Sequence, residues 1–441
     1  MALAIRGTVM QTPPARGLEV LDDVVVTVDD GGVIDAVTPH AAYAGPVDLR
    51  LEDTAVLLPG LIDTHLHAPQ WPQLGSGLDL PLERWLFEVT FPLESRFADA
   101  AFATEVWNHM VPTLLGHGTT TAVYYGSVHL EATTLLADTC ARFGQRAFVG
   151  RVGMDHPDGT PEWYRDDTAA EGVAASAASL EDIAALQSPL VQGIVTPRFI
   201  PACTDALLEG LAELAASSGA RVQTHCSESD WEHGYVLDRM GRTDTEALLD
   251  LGLLTRSTVL AHADLVSGHD LSLIRNHGAG VSHCPLSNIY FANAVFPARR
   301  ALDAGVHVGL GTDVAGGAEA GLLRQCGYAV SASRSLEEGV DPDLPPERRG
   351  VPGSRIDIVE AFRMATIGGA DLLGMPLGLL EPGRRFDALV VDGNASPASQ
   401  LRRWDHDDND RWFEKVVRLS TADDITHVWV DGSLVAGRAT R

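Results

Sequence analysis

Between Leu57 and Asp313 the chain alternates short β-rich runs with stretches of helical character, and this alternation restricts the fold more than any other feature. Eight runs are read: Leu57–His67, Thr119–Tyr125, Arg146–Met154, Val191–Phe199, Arg221–His225, Thr258–His262, Ala279–His283 and His307–Asp313. Strands that alternate with helices are the mark of repeated βα units around a parallel sheet. Eight such units are the number that closes into a (β/α)8 TIM barrel. Between the runs, Thr168–Leu186, Thr204–Ser218 and Thr243–Leu251 are rich in Ala, Leu and Glu and read as helices. Thr204 can cap its helix through its hydroxyl, although Leu207 three residues on leaves the capping box incomplete.

The chain ends have a different texture. Met1–Thr54 and Phe386–Val435 carry Val-rich alternations broken by Gly and Asp, and DDGGVIDAV and VDGSLVAG read as hairpin material. The expectation is a small β-domain made of residues 1–56 and 381–441, beside a barrel of residues 57–380. The acidic run Asp405–Asp410 reads as a solvated loop in preference to a metal site.

With 32 Lys+Arg against 60 Asp+Glu, the net charge is −28, the wrong sign for a nucleic-acid backbone or an anionic membrane surface. No stretch approaches the roughly 20 apolar residues of a membrane span, and the first residues lack the apolar core of an export signal. Five scattered cysteines without a CxxC pair fit a reducing cytoplasm. The sole lysine is Lys415, so chemistry that needs a buried barrel lysine has no candidate before the C-terminal segment.

His65 and His67 stand two apart at the end of the first run, so their side chains share one strand face. Two converging imidazoles suit a borderline cation such as Zn²⁺. Further candidates end later runs: His225 in VQTHCSE, His262 in VLAHADL and Asp313 in GTDVAGG. Any one of these histidines alone is an ordinary hydrogen-bonding residue. Five such residues on four strand ends point jointly to a metal site on the rim where barrel enzymes build their active sites.

This set, HxH, His, His and Asp on an eight-stranded barrel, resembles the amidohydrolase superfamily, from PGLIDTHLH to the C-terminal VDGSLV. In its binuclear members a lysine of the fourth strand bridges two metals; here that strand reads GIVTPRFI, so the resemblance implies one ion. It also implies that His65, His67, His225 and Asp313 hold the metal, that Asp313 accepts a proton from the attacking water and that His262 orients it. Glu228, three residues after His225, takes the place of the proton-carrying glutamate of the mononuclear deaminases. Chemistry asks for such a group independently: displacing an aromatic amine by water needs a proton on the ring nitrogen and another on the departing ammonia.

HAPQ (His67–Gln70), DLPLERWL, FPLESRF, TPRF (Thr196–Phe199) and GTDVAGG look like the guanine deaminases within that superfamily. The resemblance implies that Gln70 and Arg198 bond the purine edge, with Arg198 suited to O6, that Trp71 and Phe199 contact the ring, and that the protein is a cytoplasmic homodimer. The alternative for Arg198 is a structural ion pair. Two departures stand out: SDWEHGYVLDRMGRTDTEAL after Glu228 is unlike the family's usual stretch, and Ala263 replaces an expected Gly or Cys. His283, in VSHCPLSN, is read as support for the site and not as a ligand. The expected reaction is hydrolysis of guanine to xanthine and ammonia with one Zn²⁺, Fe²⁺ being the other metal these ligands accept. Rival readings are deamination of another ring (8-oxoguanine, a pterin or a triazine), cyclic amide hydrolysis, and a non-catalytic scaffold.

Overall fold

The computed structural model describes residues 3–437. Its central sheet holds eight parallel strands in chain order: β1 (Leu61–His67), β2 (Thr119–Tyr125), β3 (Arg146–Gly150), β4 (Val191–Pro197), β5 (Arg221–Cys226), β6 (Thr258–His262), β7 (Gly280–His283) and β8 (His307–Leu310). The sheet closes where Leu310 of β8 pairs with Asp63 of β1. A short extension, Val152–Gly153, carries β3 past Arg151 to pair with the end of β4. The fold is thus the expected (β/α)8 barrel.

The helices read from the sequence form where their caps allow. Thr168, Thr204 and Thr243 accept the backbone N–H of Glu171, Leu207 and Glu246, starting helices Ala169–Ala185, Asp205–Ser218 and Asp244–Asp250. At Thr243 the box is complete, because the Glu246 carboxylate reaches back to the Thr243 N–H. At its lower end the barrel interior is sealed by apolar side chains: Ile62, Val123, Phe148, Ile194 and Val259 pack with Leu372, Leu377 and Leu379. The histidines and carboxylates of the strand ends lie at the opposite rim.

One sequence run divides. Leu57–His67 reads as a single strand in sequence, but Ala55–Pro59 belongs to a second sheet and only Leu61–His67 enters the barrel. Gly60 makes the turn between them, in a place where a Cβ would collide with the Thr120 side chain. The second sheet unites the two chain ends, in the order Ser433–Gly437, Ile425–Val430, Ala388–Asp392, Ala55–Pro59, Leu3–Gln11, Glu19–Val28, Ile34–Pro39. It is antiparallel except where Leu3–Gln11 runs parallel to Ala55–Pro59 and to Leu49–Arg50. Both expected hairpins are present. Their turns meet at Gly32 (φ +77°), whose missing side chain lets the Asp431 carbonyl approach.

The acidic run is largely the solvated segment expected, with Asp405, Asp408 and Asp410 exposed, but one carboxylate departs from that reading. Asp407 is buried, accepting from the Trp404 N–H and from Lys415 Nζ, and Asp408 caps helix Asn409–Leu419. These carboxylates are structural, and the single lysine is committed to one of them. Among the described residues no helix is long and apolar enough to cross a membrane.

Sheet and barrel are riveted by a buried ion pair. Arg146 of β3 donates to both Asp387 carboxylate oxygens at 3.0 and 3.1 Å, and Asp387 also accepts the Asp431 N–H. Both residues are almost wholly inaccessible. Asp387→Ala should therefore destabilise the protein by about 3–5 kcal/mol, since it leaves the buried guanidinium to its longer contact with Asp431 Oδ1 at 3.4 Å. Urea unfolding of the two proteins measures the difference. A loss below about 1 kcal/mol would mean that Arg146 finds water or another partner.

Candidate active site

The strand ends at the upper rim bring the predicted ligands together. His65 and His67 alternate onto the inner face of β1, with ring centroids 5.0 Å apart. His65 Nε2 lies 3.1 Å from Asp313 Oδ1, His67 Nε2 lies 3.6 Å from the same oxygen and 3.0 Å from His225 Nε2. His225 donates from Nδ1 to the Arg198 carbonyl, which fixes its tautomer and leaves Nε2 with a lone pair. Two ring nitrogens this close need a proton or a cation between them. Four donors on a tetrahedral ion with bonds of about 2.0–2.1 Å would stand about 3.3 Å apart, and the observed spacings bracket that value. The residues fit a metal of this kind.

Electrostatics agree. Burial, reinforced by neighbouring imidazoles, pushes His65, His67 and His225 well below the ordinary histidine range. They are neutral, as ligands must be. Asp313 lies just beyond β8 in a left-handed turn (φ +47°). Its Oδ2 accepts from Ser287 Oγ at 2.6 Å, which leaves Oδ1 toward the histidines. The turn itself is tied to β1 by Asp63, which accepts from both the N–H and the hydroxyl of Thr312. Burial, opposed by those bonds, pushes Asp63 up to about 7.

His262 ends β6, also left-handed (φ +69°). Its Nδ1 bonds Asn288 Oδ1 at 2.9 Å, and Asn288 in turn donates to Asp264. An amide oxygen only accepts, so His262 is protonated on Nδ1 and presents an unprotonated Nε2. That nitrogen is buried without a partner, 3.7 Å from Glu228 Oε1 and 4.0 Å from Asp313 Oδ2. Burial, then the charge of Asp313, pushes Glu228 well above the ordinary carboxylate range, against the pull of Arg198. His283 stays outside the cluster, packed 5.1 Å from Phe296, and burial next to His262 pushes it down to about 3.

The stretch after Glu228 is helical, Asp230–Met240, and holds that glutamate from behind. Glu232 accepts the Glu228 N–H at 2.7 Å. Asp244 accepts from the Ser227 N–H, the Ser227 hydroxyl and His233.

A cavity opens onto the cluster. It is lined by His67, His225, Asp313 and Glu228, by Gln70, Arg198 and Phe199, and by Leu82, Trp85, Leu86 and Phe291. Trp71 is not among them: it lies against helix Ala100–Gly116, where its Nε1–H donates to His109. It follows Gln70 on a short 3-10 helix, Ala68–Gln73, and the turn that aims Gln70 inward aims Trp71 away. The indole in the wall is that of Trp85, 4.9 Å from Phe291. Arg198 does stand in an ion pair, with Glu94, and still lines the cavity. Glu94, Trp85, Asp63, Ser287 and Asn288 escaped the sequence reading as individuals. Each lies inside a motif already singled out (PGLIDTHLH, DLPLERWL, FPLESRF or VSHCPLSN), which is the one signal that could have marked it.

Residues 56–435 match the amidohydrolase family. The chain belongs to that family. This amidohydrolase is 35% identical to the probable guanine deaminase of Schizosaccharomyces pombe over 98% of its own length and 83% of that protein. It is 35% identical to the guanine deaminase of Mus musculus over 90% of its length and 87% of the relative. The structure of guanine deaminase from C. acetobutylicum, with guanine bound in its active site, matches with a TM-score of 0.86 at 27% identity, over 98% of this chain and all of that one. Family and relatives make the chain a hydrolase of C–N bonds in a cyclic heterocycle.

Proposed function

We propose that this amidohydrolase deaminates guanine, giving xanthine and ammonia, with one Zn²⁺ held by His65, His67, His225 and Asp313. The observation that carries the reading is that a single cavity joins three of those ligands to Glu228 and to Gln70, Arg198 and Phe199. The names and coverage of its relatives support the same substrate. A cytoplasmic homodimer, the remaining part of the reading, rests on family resemblance.

When bound, the cation supplies a Lewis acid that makes water nucleophilic near neutral pH. The chain's own groups do the rest. Asp313 accepts a proton from the attacking water, and His262, whose Nε2 lone pair faces the site, orients that water. Glu228, held protonated by burial, delivers its proton to N3 as C2 becomes tetrahedral, then takes the proton of the new C2 hydroxyl and passes it to the departing amine as C2=O forms; the proton held by Asp313 restores the acid. Phe199 and Trp85 cover the ring, and Gln70 and Arg198 engage its far edge. Glu94 already balances the Arg198 charge, so a ring without O6 loses a hydrogen bond and does not leave a bare buried cation.

Ammonia release from guanine, 8-oxoguanine, pterins, cytosine and melamine-type triazines tests the substrate. Guanine should be the best of these by kcat/KM, and a clear preference for another ring would replace it. Elemental analysis of active protein should find one tightly held transition metal per chain, zinc foremost; two essential equivalents would reverse the mononuclear reading. Glu228→Gln should retain that metal while losing at least about 100-fold in kcat, because an amide cannot carry protons. Activity within about tenfold of the parent would remove Glu228 from the role.

A further inference from the structure

Glu94 ends a short helix, Phe91–Glu94, in the long excursion between β1 and β2, and none of its surface is exposed. A carboxylate so placed must be compensated in full. It is: Glu94 Oε2 accepts from Arg198 Nη1 at 2.6 Å, and Oε1 accepts from Arg198 Nη2 at 3.1 Å and from Gln70 Nε2 at 3.0 Å. The other end of the Gln70 amide is also taken, since its Oε1 accepts the Ala315 N–H at 3.1 Å. Phe91 backs the guanidinium at 4.9 Å.

These bonds remove a freedom that side chains of this type usually keep. A glutamine amide can flip, and its flip exchanges a donor for an acceptor on whatever it faces. Here a flip would turn the amide NH₂ against the Ala315 N–H and the amide oxygen against the Glu94 carboxylate, so both contacts become repulsive. Arg198 is likewise held in one plane by a bidentate partner. What remains for a ligand is a wall with a set polarity. Arg198 offers only donors, and Gln70 offers one spare lone pair on Oε1 beside one spare N–H.

We propose that Glu94 is a positioning residue that sets this polarity, so that the Gln70–Arg198 wall selects a ring edge carrying a carbonyl oxygen next to a ring N–H. The oxygen would accept from Arg198 and the N–H would donate to Gln70 Oε1. An edge with an amino group next to a bare ring nitrogen would turn donor toward donor at Arg198. This inference rests on the deaminase reading for the cavity, and gives it a rule for the far side of the ring from the reacting amine.

Hypoxanthine and purine separate the two ideas, because neither has an amine at C2 to lose and they differ in that edge: hypoxanthine has O6 and N1–H, purine has neither. Isothermal titration of the metal-loaded protein should give hypoxanthine about tenfold or more tighter binding than purine. In Glu94→Gln the preference should fall to about threefold or less, with metal content unchanged. A ratio of affinities is insensitive to the fraction of folded protein, so a loss of fold alone would not move it. In steady state with guanine, KM should rise more than kcat falls, since the reacting side of the cavity is untouched. Glu94→Asp keeps the charge beside Arg198 but is too short to hold Gln70 as well, and its preference should be intermediate; it decides the matter if Glu94→Gln does not fold. A parent preference that survives in these variants would overturn the role of Glu94 while leaving guanine deamination standing. No preference in the parent would overturn the wall itself, and ammonia release from guanine by that parent then tells whether the deaminase reading falls with it.

Discussion

Closure of the barrel between β8 and β1 brings Asp313 within 3.1 Å of His65 across 248 residues of chain. The site depends on that contact. Three neutral imidazoles and a carboxylate, all buried, are held closer together than their lone pairs would choose. The cost is met by packing elsewhere, in the sealed lower barrel and the terminal sheet, because neither an isolated strand nor an open sheet could hold four such donors on one point. Asp63 is the device that transmits the closure. Its carboxylate ties Thr312 to β1, so the turn that carries Asp313 cannot move without the strand that carries the histidines.

Around this centre the chain uses one device repeatedly: a buried polar residue holds the working residue by the atom that does no chemistry. Asn288 takes His262 Nδ1, the Arg198 carbonyl takes His225 Nδ1, Ser287 takes Asp313 Oδ2, and Glu232 takes the Glu228 N–H. In each case the opposite atom is left aimed at the cluster or the cavity. Arg198 illustrates the same economy, since its carbonyl holds His225 and its guanidinium lines the cavity. Such bonds gain strength in a water-poor interior, where a misplaced partner is also most costly.

The excursion between β1 and β2 has the largest share in shaping the cavity. It supplies Gln70, Leu82, Trp85 and Leu86 to the wall and Glu94 behind it. Loops of a barrel rim can vary while the strands persist, so this is where ring preference would be adjusted without disturbing the histidine–aspartate cluster.

Spacing along the chain determined the eight βα units, the shared face of His65 and His67, the cap at Thr204 and the hairpin character of the two chain ends, because each follows from local periodicity or from side chains a few residues apart. His225, His262, Asp313 and Glu228 were legible for a related reason: once strands are counted, their ends must share a rim. Tertiary structure alone decided what lies between elements. It divided Leu57–His67 at Gly60, turned Trp71 away and Trp85 inward, buried Asp407 against Lys415, and joined Glu94 to Arg198 across 104 residues. No periodicity encodes such contacts. A carboxylate and a guanidinium attract at any sequence separation, and which of 60 acidic residues meets Arg198 is chosen only when the packed chain leaves one of them with nowhere else to place its charge.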